Sequence, residues 1–161
     1  MAAATTVKLV LASEVRLTDV VHAASEAMAG LCGFEEDDAL NVGIAVREAV
    51  INAIIHGNRM DPARKVEIIL QAGKRSMKAR VRDHGVGFDS GATPDPTVGD
   101  NLMRSSGRGI LVMRAFVDSV EFKFREGRGM EVTLKKTLSG AKKTSSTRPL
   151  AAVVDNGGSE R

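Results

Sequence analysis

The stretch Arg47-Glu48-Ala49-Val50-Ile51-Asn52-Ala53-Ile54-Ile55-His56-Gly57 decides how this chain folds and where its chemistry lies. Its residues favour a helix throughout, and the closing glycine suits the position just beyond a helix C-terminus. Glu48 and Asn52 are four residues apart, so they lie on the same face of that helix. The stretch therefore predicts a helix that directs a carboxylate and an amide at one small volume.

Two motifs rich in glycine follow along the chain. Asp83-His84-Gly85-Val86-Gly87 ends a predicted strand, where the carboxylate can accept a hydrogen bond from an exocyclic amine and the glycines allow close approach of a ligand. Gly107-Arg108-Gly109 precedes a predicted helix, and the N–H groups at a helix N-terminus favour an anion. Each motif alone is more often a simple turn. The three together, in this order, indicate an ATP site.

The composition is that of an ordinary globular domain. The 161 residues are 43% hydrophobic and 27% charged, with no long apolar run that would predict a membrane span. Residues 1–138 are expected to form one domain and residues 139–161, rich in Lys, Ser, Thr and Gly, a disordered tail. The single cysteine, Cys32, fits a reducing cytoplasm and is interpreted as an apolar filler. With no Trp or Tyr, the chain offers few stacking platforms for nucleic acid.

The hydrophobic periodicity predicts an α+β fold, a two-layer sandwich of a mixed sheet with helices on one face. The apolar stripe of the long central helix is assigned to Leu40, Ile44, Ile51 and Ile55. Residues 89–108 lack periodicity and are expected to be a functional lid or a disordered segment. The predicted elements, in chain order, are strand 7–12, helix 17–31, helix 35–56, strands 66–72 and 77–83, helix 110–116, and strands 117–125 and 130–138.

The chain resembles the GHKL superfamily of ATP-binding domains, which includes gyrase, MutL and histidine kinases. Glu48-x-x-x-Asn52 with His56-Gly57, then Asp83-x-Gly85-x-Gly87, then Gly107-Arg108-Gly109-Ile110 match the three motifs of that superfamily in order. Within it, the short length and the predicted N-terminal strand are similar to the anti-sigma factor serine-protein kinases of bacterial partner-switching systems. The resemblance spans about residues 7–138 and implies the Bergerat ATP-binding fold.

The resemblance implies a role for each of these residues. Glu48 would be the general base toward the attacking hydroxyl, and Asn52 would ligate Mg²⁺ through its amide oxygen. Asp83 would bind the adenine amine, with Gly85 and Gly87 framing the base. Gly107, Arg108 and Gly109 would close over the phosphates of ATP. One departure affects the adenine pocket: relatives carry Thr or Ser after the glycine of the last strand, where this chain has Met130.

Two functional classes remain open at this stage. The first is a cytoplasmic Mg-ATP-dependent kinase that phosphorylates a serine or threonine of a small antagonist protein and sequesters a sigma factor. The second is a non-catalytic, ATP-bound module that sequesters a sigma factor or another regulator. Free ATPase activity is a weaker third. A homodimer is expected from the resemblance and from the strand Val7–Leu11, which leaves an unpaired edge. Arg16 is a candidate partner contact. Neither membrane nor direct nucleic-acid binding is expected.

Overall fold

The computed structural model describes residues 4–85 and 99–139. In these residues, one five-stranded sheet is covered on one face by helices, which confirms the predicted two-layer α+β fold. A short 3₁₀ helix, Val15–Leu17, precedes α1, and a π-helical turn, Ala53–Gly57, continues α2. The main elements are β1 (Thr5–Ala12), α1 (Thr18–Leu31), α2 (Glu36–Asn52), β2 (Lys65–Ala72), β3 (Ser76–Arg82), α3 (Gly99–Phe116), β4 (Ser119–Arg125) and β5 (Gly129–Thr137).

The sheet has the strand order β1-β2-β3-β5-β4, and all four pairings in the described residues are antiparallel. This corrects the expectation of a mixed sheet. Two successive helices, α1 and α2, return the chain to the end of the sheet where β1 finished, so β2 runs back along β1. The single helix α3 makes β4 parallel to β3, but β5 lies between them. β1 is an edge strand, as predicted.

The turn between α1 and α2 is fixed by a glycine in the left-handed region. Gly33 has φ of +84°. Its N–H donates to the Gly30 carbonyl, and the Phe34 N–H donates to the Ala29 carbonyl, which together satisfy two carbonyls at the end of α1. Glu36, Asp37 and Asp38 in the first turn of α2 then favour a helix start, because carboxylates are stabilised at the positive end of the helix dipole.

The buried face of α2 is not the predicted stripe of large residues. Leu40 is 41% exposed and Ile55 is 40% exposed, whereas small side chains face the core. Small residues permit α1, α3 and the sheet to approach this helix from three sides. The buried residues of α2 and its π turn are Ala39, Val42, Gly43, Ala45, Val46, Ala49, Val50, Ala53 and Ile54.

This central helix also explains an apparent membrane signal. The segment Glu36–Gly57 has a mean hydropathy of 1.3 and is long enough to cross a bilayer, and it is the one described helix that meets both criteria. Half of the 18-residue window is buried inside the protein. Its apolar character is therefore that of a core helix packed on all but one side.

The structure can be compared with two further expectations, the lid at residues 89–108 and the filler role of Cys32. α3 begins at Gly99 and not at Ile110, so residues 99–108 are helical where a structureless lid was expected. The remainder of the expected lid (89–98) and the expected tail beyond residue 139 lie outside the described residues. Cys32 is buried, as a filler residue should be, and burial raises the pKa of its thiol.

Candidate functional site: a glycine-lined cleft between α2, α3 and the Asp83 loop

The predicted pair on α2 meets α3 at a glycine. A β-carbon placed on Gly109 would lie 2.9 Å from Glu48 Oε2 and 3.6 Å from Asn52 Oδ1. The backbone of α3 thus lies directly against both polar side chains, and a β-carbon at Gly109 would displace the end of the Glu48 side chain. The structure therefore brings together Glu48, Asn52 and Gly109, three residues that the sequence assigned to one site across 61 positions of chain.

Asp83 forms the second part of the site, at the end of β3. Its side chain is almost fully buried, with 4% of the residue exposed. Oδ1 accepts hydrogen bonds from the backbone N–H of Gly85 at 3.0 Å and of Met130 at 3.1 Å. Burial raises the pKa of the Asp83 carboxyl, while these two hydrogen bonds and the charges of His84 and Arg64 lower it in part. Two donors on one oxygen hold the carboxyl group in a single orientation.

Glycines enclose this carboxylate on three sides. A β-carbon on Gly57 would overlap Asp83 Cγ and Oδ2, and one on Gly129 would overlap Oδ1. A β-carbon on Gly85 would overlap the carbonyl oxygen of Gly57. Gly57 was predicted as the residue that closes the helix and as part of the first motif, with no contact to Asp83 assigned to it. Its actual position, in contact with Asp83, joins the end of the α2 segment to the end of β3.

The π-helical turn Ala53–Gly57 places Gly57 at this contact, and no sequence pattern predicts this turn. Single π turns insert one extra residue per turn and frequently occur at functional sites. The chain then passes through Arg59 and Met60, two non-glycine residues with φ of 54° and 60°. Such left-handed conformations cost energy for L-residues and are held here by surrounding contacts, including the Met60 N–H to Ile54 carbonyl bond at 2.8 Å.

Asn58 is a structural residue that the sequence analysis missed. It is 0% exposed, and its Nδ2 donates to Ser13 Oγ at 2.8 Å and to the Lys65 carbonyl at 3.0 Å. Its Oδ1 accepts the His84 N–H at 2.9 Å. This one amide therefore ties the π turn to the ends of β1, β2 and β3, and fixes the backbone next to Asp83.

Met130 stands where relatives carry Thr or Ser after the glycine of the last strand. Its backbone lies beside Asp83. The Asp83 N–H donates to the Met130 carbonyl at 3.0 Å, and the Met130 N–H donates to the carboxylate. Thr133 pairs with Arg80, and strand alternation places both on the face of the sheet opposite to Met130. No threonine hydroxyl of β5 within the described residues therefore contacts Asp83.

The third motif departs from the prediction. Gly107, Arg108 and Gly109 lie within α3, where each N–H bonds to a carbonyl of the preceding turn. They do not form a helix N-terminus, so the prediction that a helix begins just after them is wrong, while their contact with a nucleotide stays a prediction. Arg108 is exposed, and a β-carbon on Gly107 would meet nothing within 4 Å. Gly87 lies outside the described residues.

The donors in this cleft are suited to a hard cation. Glu48 supplies a carboxylate and Asn52 an amide oxygen on one helix face, and Mg²⁺ prefers oxygen ligands with several positions left for water and phosphate. In the described residues, no group of three or more His, Cys, Asp or Glu side chains forms a cluster that would hold a metal by itself. The residues therefore fit a metal that is shared with a phosphorylated ligand.

Comparison with known families agrees with this geometry. Residues 9–136 match the histidine kinase-like ATPase domain, a stretch that contains all three motifs and every strand except the first residues of β1 and the last of β5. The chain belongs to this family. Membership of the histidine kinase-like ATPase domain family implies that the domain binds ATP.

The curated relatives narrow the class. The anti-sigma F factor of Clostridium perfringens (strain SM101 / Type A) is 32% identical over 106 residues, which cover 64% of this chain and 75% of the relative. The anti-sigma F factors of Oceanobacillus iheyensis and Geobacillus thermodenitrificans are 35% and 36% identical over 109 residues, covering 66% of this chain and 74% of each relative. These similarities support a regulator of the anti-sigma kinase type.

A solved structure confirms the fold independently. The crystal structure of the RsbU and RsbW domains of Rv1364c from Mycobacterium tuberculosis superimposes with a TM-score of 0.59 at 20% sequence identity. The match covers 83% of this chain and 32% of the longer chain. At 20% identity this similarity establishes the fold of the domain and says nothing about the chemistry of its site.

Proposed function

We propose that this protein is a Mg-ATP-dependent kinase that phosphorylates a serine or threonine hydroxyl of a small antagonist protein and that sequesters a sigma factor. One observation carries the catalytic part: the Glu48 carboxylate lies beside Asn52 and against Gly109 of the third motif. Nucleotide binding alone does not need a carboxylate there. The similarity to anti-sigma factors supports the regulatory part.

The proposed reaction assigns one task to each residue. Asp83 accepts a hydrogen bond from the adenine amine, and Gly85 leaves space for the base. Asn52 provides an oxygen ligand for Mg²⁺, which when bound neutralises charge on the phosphates. The acceptor hydroxyl forms a bond to the γ-phosphorus as the bond between that phosphorus and the β–γ bridging oxygen breaks. Glu48 takes the hydroxyl proton, and ADP leaves.

The remaining assignments follow the same proposal. Gly107, Arg108 and Gly109 approach the phosphates, with the Arg108 guanidinium offsetting negative charge. Gly87 frames the adenine. The edge strand β1 is available for pairing with a second copy, and Arg16, with 79% of its side chain exposed, is available to a partner. The added phosphate charge on the antagonist would weaken its interface with the kinase by repulsion and desolvation.

The test is transfer of labelled phosphate. The purified protein is incubated with Mg²⁺ and γ-labelled ATP in lysate of its source, beside Glu48→Gln and the matched control Glu36→Gln on the same helix. Label on a serine or threonine of a small protein, lost with Glu48→Gln and kept with Glu36→Gln, supports the kinase. Glu48→Gln should still bind ATP.

The second candidate function is a non-catalytic module in which ATP only stabilises the partner-binding form. One observation favours it: Met130 replaces the hydroxyl residue of the family pattern. No transfer while ATP still binds would support this module over the kinase. Transfer at the same rate by wild type and Glu48→Gln would instead exclude Glu48 as the general base of the kinase.

A further inference from the structure

The sheet face that no described helix covers carries a strong excess of positive charge. By strand alternation, its outward positions hold eight basic residues and three acidic ones, a net charge of +5. Residues 139–161 contribute +2 of the total of +3, so residues 1–138 carry only +1. The rest of the domain therefore has a net charge of −4. The basic residues of this outer face are Lys8, Lys65, Lys78, Arg80, Arg82, Lys123, Arg125 and Lys135.

At the centre of the outer face, two lysines oppose each other. Lys78 on β3 pairs directly with Lys135 on β5, and their outer neighbours along this row are the uncharged Gln71 and Ser119. Both lysines are exposed, and no described carboxylate lies within 4.0 Å of either amine. Like charges directly opposite each other on neighbouring strands destabilise a sheet.

Arg80 adds a third positive charge two residues from Lys78 on the same face. Its Nε is buried and has no hydrogen-bond partner in the described part of the chain. Its cross-strand neighbours are Ile69 and Thr133, which supply no charge. Arg80 interacts electrostatically with Glu131, but that carboxylate is already hydrogen-bonded to Arg82, so Arg80 retains positive charge that an anion from outside the domain can pair with.

The carboxylates of the outer face are mostly engaged elsewhere. Glu131 accepts two hydrogen bonds from Arg82, at 2.7 Å and 3.1 Å, and lies 3.4 Å from Arg125. Burial alone would raise the pKa of the Glu131 carboxyl. The positive charges of Arg82, Arg125 and Arg80 lower the pKa by more than burial raises it, so the net shift is downward. Glu67 lies 3.5 Å from Lys8 and 3.8 Å from Arg82. Glu121 is separated from Arg80 by the whole width of β5.

We propose that the outer face, centred on Lys78, Arg80 and Lys135, binds an acidic helix of a partner protein. The β-carbons of Lys78 and Lys135 are about 5 Å apart as a directly opposed pair, and Lys78 and Arg80 are about 7 Å apart along the strand. Carboxylates at i and i+4 on a helix have β-carbons about 5–6 Å apart, which matches this triangle of charge.

Other anionic partners fit this surface less well. The chain has no Trp or Tyr, and no phenylalanine occupies an outward position of the strands, so bases would find no aromatic platform. A flat sheet also has no protruding element for a nucleic-acid groove. Val10, Ala12 and Ile69 are the apolar outward residues of β1 and β2, too few to anchor a lipid surface.

The test uses an alanine-rich helical peptide with glutamates at every fourth position, labelled for fluorescence anisotropy. The variant Lys78→Gln/Lys135→Gln should bind this peptide about tenfold more weakly than wild type, a loss of about 1.4 kcal/mol. Arg80→Gln should also weaken binding. Lys136→Gln is the matched control, because Lys136 follows Lys135 on β5 but points to the other side and lies 3.8 Å from Asp118. Binding should decline with added salt.

A second measurement separates binding from a structural role. Removal of the opposed charges should raise the melting temperature of Lys78→Gln/Lys135→Gln while it lowers peptide affinity, whereas residues needed for folding would lower both. Equal binding by this variant and Lys136→Gln, or equal binding of a peptide with the same glutamates spread around the helix, would overturn the proposal. So would tighter, lysine-dependent binding of duplex DNA or phosphatidylserine vesicles, or a change of oligomeric state in sedimentation.

Discussion

Gly57 and Asp83 are in direct contact: the α-carbon of Gly57 faces the carboxylate so closely that a β-carbon would overlap Cγ and Oδ2. Asp83 cannot move aside, because its Oδ1 is held by two backbone N–H groups and it is almost fully buried. The contact joins the helix that carries Glu48 and Asn52 to the strand that carries Asp83. The position of Glu48 and Asn52 thus depends on the position of Asp83.

Gly57→Ala should therefore damage both the fold and the nucleotide site. We expect a loss of about 1–3 kcal/mol in the free energy of unfolding, the usual cost of overpacking, together with a marked loss of ATP affinity. Urea unfolding and direct titration with ATP measure the two effects. Gly30→Ala is the control, since a β-carbon there would meet nothing within 4 Å, and a helical Gly→Ala change stabilises by about 0.5–1 kcal/mol. Wild-type behaviour of Gly57→Ala would contradict the contact.

Gly109→Ala should act on phosphate transfer more than on stability. Its β-carbon would lie 2.9 Å from Glu48 Oε2, the end of a flexible side chain that can move away. We expect the protein to fold, and the displaced carboxylate to reduce phosphotransfer by about tenfold or more, up to the roughly 10²–10⁴-fold that a general base contributes. Gly107→Ala, on the same helix with open space around it, is the matched variant. Equal losses in both variants would show that α3 needs flexible glycines and not clearance for Glu48.

Asp83→Asn should separate stability from nucleotide recognition. The asparagine Oδ1 can still accept the N–H groups of Gly85 and Met130, but its NH₂ would oppose the donor amine of adenine. We expect ATP affinity to fall by about tenfold or more, because an unpaired polar group at a buried site costs about 1–3 kcal/mol. Because an amide donor can pair with the guanine carbonyl, the preference for ATP over GTP should narrow. Competition titrations with ATP and GTP measure this preference. Asp19→Asn is the control, because it makes the same change at an exposed aspartate.

The raised pKa of Asp83 fixes the direction of a pH effect. Since burial raises the pKa, the folded state binds the proton more tightly than the unfolded chain, whose aspartate pKa is about 3.9. The contribution of Asp83 to the free energy of unfolding therefore falls as pH rises from about 3.9 through the folded pKa, and is constant above it. ATP affinity should change in the opposite direction. The difference in the free energy of unfolding between wild type and Asp83→Asn, measured across this pH range, isolates the contribution of Asp83. A difference that grows as pH rises would contradict the expected direction.

The parts of this site that the sequence could predict are those set by local rules. Glu48 and Asn52 share a face because of helical periodicity, and Asp83 ends a strand whose alternation is plain. The two-layer fold follows from the same periodicities. These signals need only neighbouring residues, so no contact between distant parts of the chain had to be known.

The parts that could not be predicted depend on tertiary contacts. In the sequence, Asn58 is a polar residue after a glycine and has no distinguishing pattern. Its hydrogen-bond partner Ser13 lies 45 positions earlier, so only the folded structure shows the contact. The π turn leaves no pattern in the sequence, and Leu40 and Ile55 are large apolar residues on the exposed side of a helix whose core face is Ala and Val. The full length of α3 was hidden because its glycines interrupt the helical periodicity.

Asn58→Ala should weaken both the fold and the Asp83 loop. The change leaves the His84 N–H, the Lys65 carbonyl and the Ser13 hydroxyl without this buried partner. We expect a loss of about 2–4 kcal/mol in the free energy of unfolding, since each buried unsatisfied group costs about 1–3 kcal/mol and some can relax. Because His84 follows Asp83 directly, ATP affinity should fall as well.

Ser13→Ala is the graded control for this network. It removes the hydroxyl that donates to the Arg64 carbonyl at 2.6 Å, but leaves the bond between Asn58 and the His84 N–H. We therefore expect Ser13→Ala to lower stability by less than Asn58→Ala and to leave ATP affinity close to wild type. If both variants lost nucleotide binding in proportion to their loss of stability, Asn58 would act only on the fold. If Asn58→Ala lost more affinity than its stability explains, the amide positions the loop from which Asp83 binds the nucleotide.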